Sequence, residues 1–423
     1  MYGWMTKGLL AGVLGAAVLS ACDSGHTAGQ TPASRAAAGG GVRPDCAAVL
    51  QAKPTDPARN LVLLLDRTAS RPAGTAATDV EANPALADTI TSYSRAGGSI
   101  TIISVNGHGA GAKPRFPLYR AALSDAGPRD APSVERIAKN MPGCIQHVLA
   151  QVGPPTAPGT DFYPAADEAA KVANNNRSTV VWLTDVAFNA GQIDLSRPGV
   201  LDLEAPAAAK LIAGRAPLDF HGATLLVAGA GDLVQDITPQ GQRWLAAFAA
   251  GLCAAWHAVR CGDIVPAAGA GGSAMPGLPA DPKLPFPAVT PVSLPAGCEF
   301  TVPGALGFGG DSTALRPGFS KFLGPVIAIM ADHPKSTAVV TGHAASTSLD
   351  PGPQNVGWSK GRADSVVGAL VQSGIASSRL TARGVGNLPR IKDMDPATGQ
   401  QIPDIAATER WVKITVAGVP CPR

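Results

Sequence analysis

Charge is scarce in this chain. Asp, Glu, Lys and Arg make up 15% of 423 residues, and their net balance is only +3. A balance that small gives no sign of a nucleic-acid partner, and none is expected. Aromatic residues are few as well, at 5%. Nowhere does the chain carry G-x-S-x-G, H-E-x-x-H or a P-loop, and no single Cys stands out as a nucleophile beside a His. The expectation is therefore a protein that binds, not an enzyme. No C-x-x-C and no H-x3-5-H pair occurs, so no zinc motif is present. Apolar residues, in contrast, reach 45%, enough to build cores. The abundant Gly (49) and Pro (38) then point to long linkers, not to wholesale disorder. With domains of roughly 100–200 residues, this length predicts two or three of them.

The N-terminus reads as a targeting segment. MYGWMTK carries one lysine, and the apolar run GLLAGVLGAAVLSA is a signal-peptide core too short for a membrane span. It ends in LSAC, Leu19 to Cys22. This resembles the lipobox of bacterial lipoproteins, in which the Cys becomes the acylated N-terminus. The resemblance implies a lipid anchor at Cys22 and attachment to the extracytoplasmic side of a membrane. Asp23 resembles an inner-membrane retention signal. Residues 23–43 read as a flexible tether.

Export recasts the cysteines. Cys46, Cys144, Cys253, Cys261, Cys298 and Cys421 remain, an even number in an oxidising compartment, which predicts disulfides. Six cysteines allow fifteen pairings. The favoured set is Cys298–Cys421 at the two ends of the last domain and Cys253–Cys261 as a short loop, leaving Cys46–Cys144.

From 44 to 262, strand-like and helix-like stretches alternate. LVLLL (61–65), SITIISV (99–105), STVVWLTD (178–185) and ATLLVAG (223–229) read as strands. ALADTITSYSRAGG, FYPAADEAAKVANN (162–175) and QRWLAAFAAGLCAAWHAV (242–259) read as helices. The predicted fold is α/β, a doubly wound, mostly parallel sheet. Such sheets bind ligands at the carboxyl ends of their strands, where Asp66, Thr68, Ser70 and Asp185 stand. GHGAGA (107–112) mimics a dinucleotide fingerprint, but two prolines follow where a helix must open, so it is set aside.

The run D-R-T-A-S resembles the D-x-[ST]-x-S motif of von Willebrand factor A domains, which carry a metal-ion-dependent adhesion site. Thr160 in PGTDFYPAADEA and Asp185 in VVWLTD stand where that family has its later Thr and Asp. The resemblance implies a divalent cation, magnesium or manganese with calcium as the alternative. Thr68, Ser70 and Thr160 would ligate directly, and Asp66 and Asp185 directly or through water. The open position would take a carboxylate from an unidentified protein partner. Oxygen donors suit such a cation. Read without the family, the same residues could equally cap the next helix or make local turns.

Residues 263–297 read as a Pro/Gly-rich spacer. From 298 to 423 the chain resembles the OmpA-like, peptidoglycan-binding domain, a smaller α/β unit with a mixed sheet. The resemblance rests on DSTALRPGFSKFLGPVIAIMADHPK, AVVTGH (338–343), QNVGWSKGRADSVVGALVQSG, IASSRLTARGVGN and ERWVKITV. Ala363, Val366, Val367, Leu370 and Val371 form one apolar helical face. Ser359 reads as its N-cap, which would set Arg362 in the first turn against the helix dipole. In the family an Arg grips a carboxylate of the stem peptide, a role the resemblance gives Arg362. Asn355 falls within the same motif. The family's G-H-T-D turn appears here as Gly342-His343-Ala344-Ala345, so the Asp that pairs with the ligand's ammonium is missing. Asp350 is the nearest acid in sequence. Leu is also replaced by Trp358. His343 reads as structural.

Together these expectations describe a membrane-anchored envelope protein holding peptidoglycan and a protein partner. The alternatives are an envelope protein whose two sites have decayed, and an enzyme acting on the wall.

Overall fold

The run NLVLLLD forms β1 (Asn60–Asp66), and both of its faces are covered. Leu61, Leu63 and Leu65 point one way, into a layer made with α1 (Pro84–Arg95) and α2 (Ala131–Gln151). Val62 and Leu64 point the other way, into a layer made with α3 (Tyr163–Val172), α4 (Ala205–Arg215) and α5 (Pro239–Ala255). Successive strand residues face opposite sides, so a strand sandwiched between helices must be apolar throughout. That is why an unbroken run of leucine and valine is a strand here.

The computed structural model describes Cys46 and residues 55–421, except 57, 72–79, 81–82, 106, 108–120, 123–130, 152–154, 156, 266–276, 279, 310–311, 351–352 and 389–391. Residues 1–45 and 47–54 lie outside the described residues. The signal segment, Cys22, the whole tether 23–43 and most of GHGAGA lie outside the described residues. Among the described residues no helix is long and apolar enough to cross a membrane.

The first sheet also contains β2 (Ser99–Val105), β3 (Ala121–Ala122), β4 (Thr179–Leu183), β5 (Thr224–Ala228) and β6 (Arg260–Val265). Its order is β3-β2-β1-β4-β5-β6, with only the edge strand β3 antiparallel. Helix starts are set locally. Asn83 accepts from Leu86 N at 3.1 Å ahead of Pro84, and Thr238 accepts from Gly241 N at 3.2 Å ahead of Pro239. Both are side-chain caps followed by a proline at a position that needs no N–H.

The second sheet is mixed, in the order β10-β9-β11-β8-β7. Its strands are β7 (Thr290–Leu294), β8 (Gly297–Pro303), β9 (Thr337–Gly342), β10 (Leu380–Gly384) and β11 (Trp411–Ala417). Only β9 and β10 run parallel. Helices α6 (Gly304–Gly307), α7 (Gly324–Asp332), α8 (Val356–Gln372) and α9 (Pro403–Thr408) accompany it. The segment expected to be a spacer is thus structured at its end: Thr290–Leu294 pairs with β8 as an edge strand.

Two details of α8 correct the sequence reading. The helix begins at Val356, with Asn355 at its N-cap in the left-handed region (φ 58°). Ser359 sits inside the first turns, where its hydroxyl donates to Val356 O and accepts from Gly386 N, both at 2.9 Å. Arg362 therefore lies beyond the first turn, and no conflict with the helix dipole arises. The apolar face is narrower than expected. Ala363, Val366, Ala369 and Leu370 are buried, whereas Val371 is 40% exposed.

Three disulfides form: Cys46–Cys144, Cys253–Cys261 and Cys298–Cys421. The first closes 98 residues and the last 123, loops long enough to be worth about 4–5 kcal/mol each in the chain-entropy view. The two sheets are joined across the surface as well. Arg215 pairs with Asp404 at 2.8 Å, and Arg316 pairs with Glu204. Gly199 (φ 80°) lies so close to Asp404 O that a Cβ there would clash. These contacts bring the loop 199–204 against the second sheet's helices.

Candidate functional site

The order of the first sheet reverses between β1 and β4, whose ends lie side by side with Leu65 paired to Leu183. Open α/β sheets bind ligands at such a switch point. Asp66 ends β1, and Asp185 follows β4 by two residues. Asp66, Thr68, Thr160 and Asp185 are all fully buried.

The cluster is built around Asp66. Its Oδ1 accepts from Thr68 N (3.0 Å) and Thr68 Oγ1 (2.7 Å), and its Oδ2 accepts from Thr184 Oγ1 (2.7 Å). Because the Thr68 hydroxyl proton is given to Asp66, its lone pairs face Ser70 Oγ at 3.0 Å and Thr160 Oγ1 at 2.7 Å. Asn189 Oδ1 accepts from Thr160 N at 2.6 Å and fixes that loop. Arg71, also buried, donates through Nη1 to Asp66 O (2.9 Å) and Leu183 O (2.5 Å), tying the ends of β1 and β4 together.

Asp185 is held in a strained turn. Val186 adopts φ 66°, a costly choice for a β-branched residue. Thr184 Oγ1 accepts from Val186 N, and Asp185 Oδ1 accepts from Ala187 N at 2.8 Å. Asp185 Oδ2 is buried without a hydrogen-bond partner. The Ser70 hydroxyl is close enough to favour the charged carboxylate, although not in bonding geometry with that oxygen. Burial, and then the charge of Asp66, push the Asp185 carboxyl up to about 8, against the pull of Arg71.

These residues fit a small hard cation. Neighbouring oxygens around magnesium, at about 2.0–2.1 Å from the ion, lie about 2.9 Å apart. The hydroxyl spacings of 2.7 and 3.0 Å match. A buried oxygen without a partner calls for a proton or a cation. Among the described residues no three His, Cys, Asp or Glu side chains stand in metal-binding geometry. A cation held here would take its direct protein ligands from the hydroxyls, with Asp66 and Asp185 reaching it through water.

The second candidate site centres on Arg362. It is 5% exposed, its Nε donates to Ser312 O at 3.1 Å, and its guanidinium lies over the Phe308 ring at 5.2 Å. It lines a cavity of about 160 Å³ together with Phe308, Arg410, Asp202 and Glu204. Asp202 comes from the first sheet's domain, and burial holds its carboxyl above the usual range. Neither Asp350 nor Asn355 lines this cavity. Asp350 is exposed, and its backbone N–H donates to Ser348 Oγ. Asn355 donates to Ala345 O at 2.8 Å and ties the Gly-His-Ala-Ala turn to the start of α8. Ala345 is itself buried. His343 is stacked on Trp411 (4.5 Å between centroids) with Nδ1 against Glu409 O at 2.5 Å, a packing role. Gly342 allows this arrangement, since a Cβ there would strike Ser359 O.

Sequence reading missed Thr184, Arg71 and Asp202. Thr184 adjoins Asp185 and could have been found from the alternation past β4. Nothing in GVLDLEAP signals that Asp202 would face another domain.

Comparison with known proteins is informative for the C-terminal part. Residues 307–402 match the OmpA family. A curated relative, "Probable lipoprotein YiaD" of Escherichia coli (strain K12), is 30% identical over 116 residues, which are 27% of this chain. The match spans about half of that relative's length, 49%. Among solved structures, the periplasmic domain of Helicobacter pylori MotB is 17% identical, covering 31% of this chain and 83% of that one, with a TM-score of 0.26. The cell wall anchor of the T6SS from Pseudomonas aeruginosa is 26% identical, covering 31% and 87%, with a TM-score of 0.24. The chain thus contains an OmpA-like domain within its C-terminal region.

Proposed function

We propose that this is a cell-envelope protein that holds peptidoglycan at the Arg362 cavity and offers a von Willebrand factor A-like metal site to a protein partner. A lipid on Cys22 would anchor it on the extracytoplasmic side of the membrane. The observation that carries the wall-binding reading is the cavity itself. A buried arginine and the carboxylates Asp202 and Glu204 line one cavity, a combination that would suit a ligand bearing both a carboxylate and an ammonium, such as the diaminopimelate of a stem peptide. The OmpA family match over 307–402 supports the same reading. Asp202 would supply the acid that Ala345 cannot.

At the metal site, Thr68, Ser70 and Thr160 would hold magnesium or manganese. Asp66 would orient Thr68 and balance the ion's charge, and the ion would offer Lewis acidity to a carboxylate. Support comes from the unpartnered Asp185 oxygen and the hydroxyl spacings.

Co-sedimentation with purified diaminopimelate-type peptidoglycan tests the wall-binding half. The wild-type protein is expected to pellet with the wall, and Arg362→Ala to lose roughly tenfold or more in affinity with its fold intact. Equal pelleting of both would remove Arg362 from the site.

A further inference from the structure

The Pro-rich stretch ADPKLPFP was expected to be a spacer, yet part of it is docked on the first sheet's ligand edge. Asp281 Oδ1 accepts from Gly159 N at 2.6 Å, and its Oδ2 accepts from Ser70 N at 2.9 Å. The same Oδ2 lies 3.5 Å from Thr160 Oγ1. Thus a carboxylate more than 90 residues beyond Asp185 in sequence reaches the backbone of one proposed ligand, Ser70, and the hydroxyl of another, Thr160. The segment behind it is fixed at several points. Asn189, which positions Thr160 through one side-chain atom, donates through Nδ2 to Pro282 O at 2.8 Å. Gln235 clasps Leu284 from both sides, donating to its carbonyl and accepting from its N–H, each at 2.9 Å. Leu284 is 3% exposed and belongs to the core, and Phe286 packs beside it.

Resting on the metal-site reading above, we propose that Asp281 is the chain's own ligand at the position where such an ion would meet an outside carboxylate. The strap 281–286 is then a built-in occupant. A partner bearing an acidic side chain must displace it. Four independent anchors make displacement cooperative, since releasing Asp281 alone leaves Leu284 buried.

The test uses the purified, disulfide-bonded protein with Mn²⁺ as the probe, compared with Asp281→Ala, Asp281→Asn and Asp66→Ala. Affinity and water-proton relaxation by the bound ion are both read, and circular dichroism checks the fold. Loss of a ligand is expected to weaken Mn²⁺ binding roughly 10–100-fold in both Asp281 variants. Relaxation per bound ion is expected to rise as water takes the vacated position, and added acetate to lower it again in the variants but not in the wild type. Wild-type affinity and relaxation in well-folded Asp281 variants, with binding lost in Asp66→Ala, would overturn this proposal and leave the metal site standing. No Mn²⁺ binding by the well-folded wild type would overturn both.

Discussion

The two candidate sites have opposite deficits. At the first sheet's edge, carboxylates and hydroxyls gather, and one buried carboxylate oxygen has no partner. At the Arg362 cavity, the nearby turn has lost its acid, and the guanidinium faces an opening. The two deficits are met differently. At the first site Arg71 donates through Nη1 to Asp66 O and Leu183 O, and its charge also acts on Asp185. In the second, Asp202 of the neighbouring domain lines the same cavity as Arg362, and on the proposed reading it would supply the missing acid.

The largest effect is expected from Asp66→Ala. It strips the acceptor from Thr68 N and Thr184 Oγ1, both buried, and should cost about 2–5 kcal/mol in denaturant unfolding. It should also abolish the stabilisation that Mg²⁺ gives the wild type, which a thermal melt would read. A variant as stable as wild type would mean that the cluster is not organised by Asp66.

Asp185→Asn separates the two sites by pH. An acid whose folded pKa is raised from 3.8 to about 8 holds its proton longer when folded. The metal-free native state then binds more protons across that window, so stability falls as pH rises through it. Unfolding at pH 5 and pH 8 should show this slope in the wild type and a flatter one in Asp185→Asn. An unchanged slope would place the titrating group elsewhere.

The smallest effect is expected from Asp350→Ala. That side chain is exposed and outside the cavity, so wall binding should stay within about twofold of wild type, by pull-down. A large loss would return the acid's role to the loop before α8.

Much of this was legible in the sequence because local physics repeats it. β1 and β4, apolar but for their ends, read as strands covered on both faces, and the D-x-T-x-S run sits at the carboxyl end such sheets use. Other features were not legible. Ser359 looks like a cap by type, but Asn355, four residues ahead of it, takes the left-handed N-cap position, and hydrogen bonding to Gly386 gives Ser359 a different task. Asp281 is hidden by composition, since Pro-rich stretches read as spacers. Only Leu284 and Phe286, apolar side chains in a nominally exposed run, hint that it docks. Asp202 depends on contact between domains, which no local pattern encodes.

The most direct test of the borrowed-charge account is peptidoglycan co-sedimentation of Asp202→Ala beside Arg362→Ala. The account expects both variants to lose wall binding while melting as cooperatively as wild type. Retention of full binding by Asp202→Ala, with loss in Arg362→Ala, would contradict it and show that the second domain grips its ligand without help from the first.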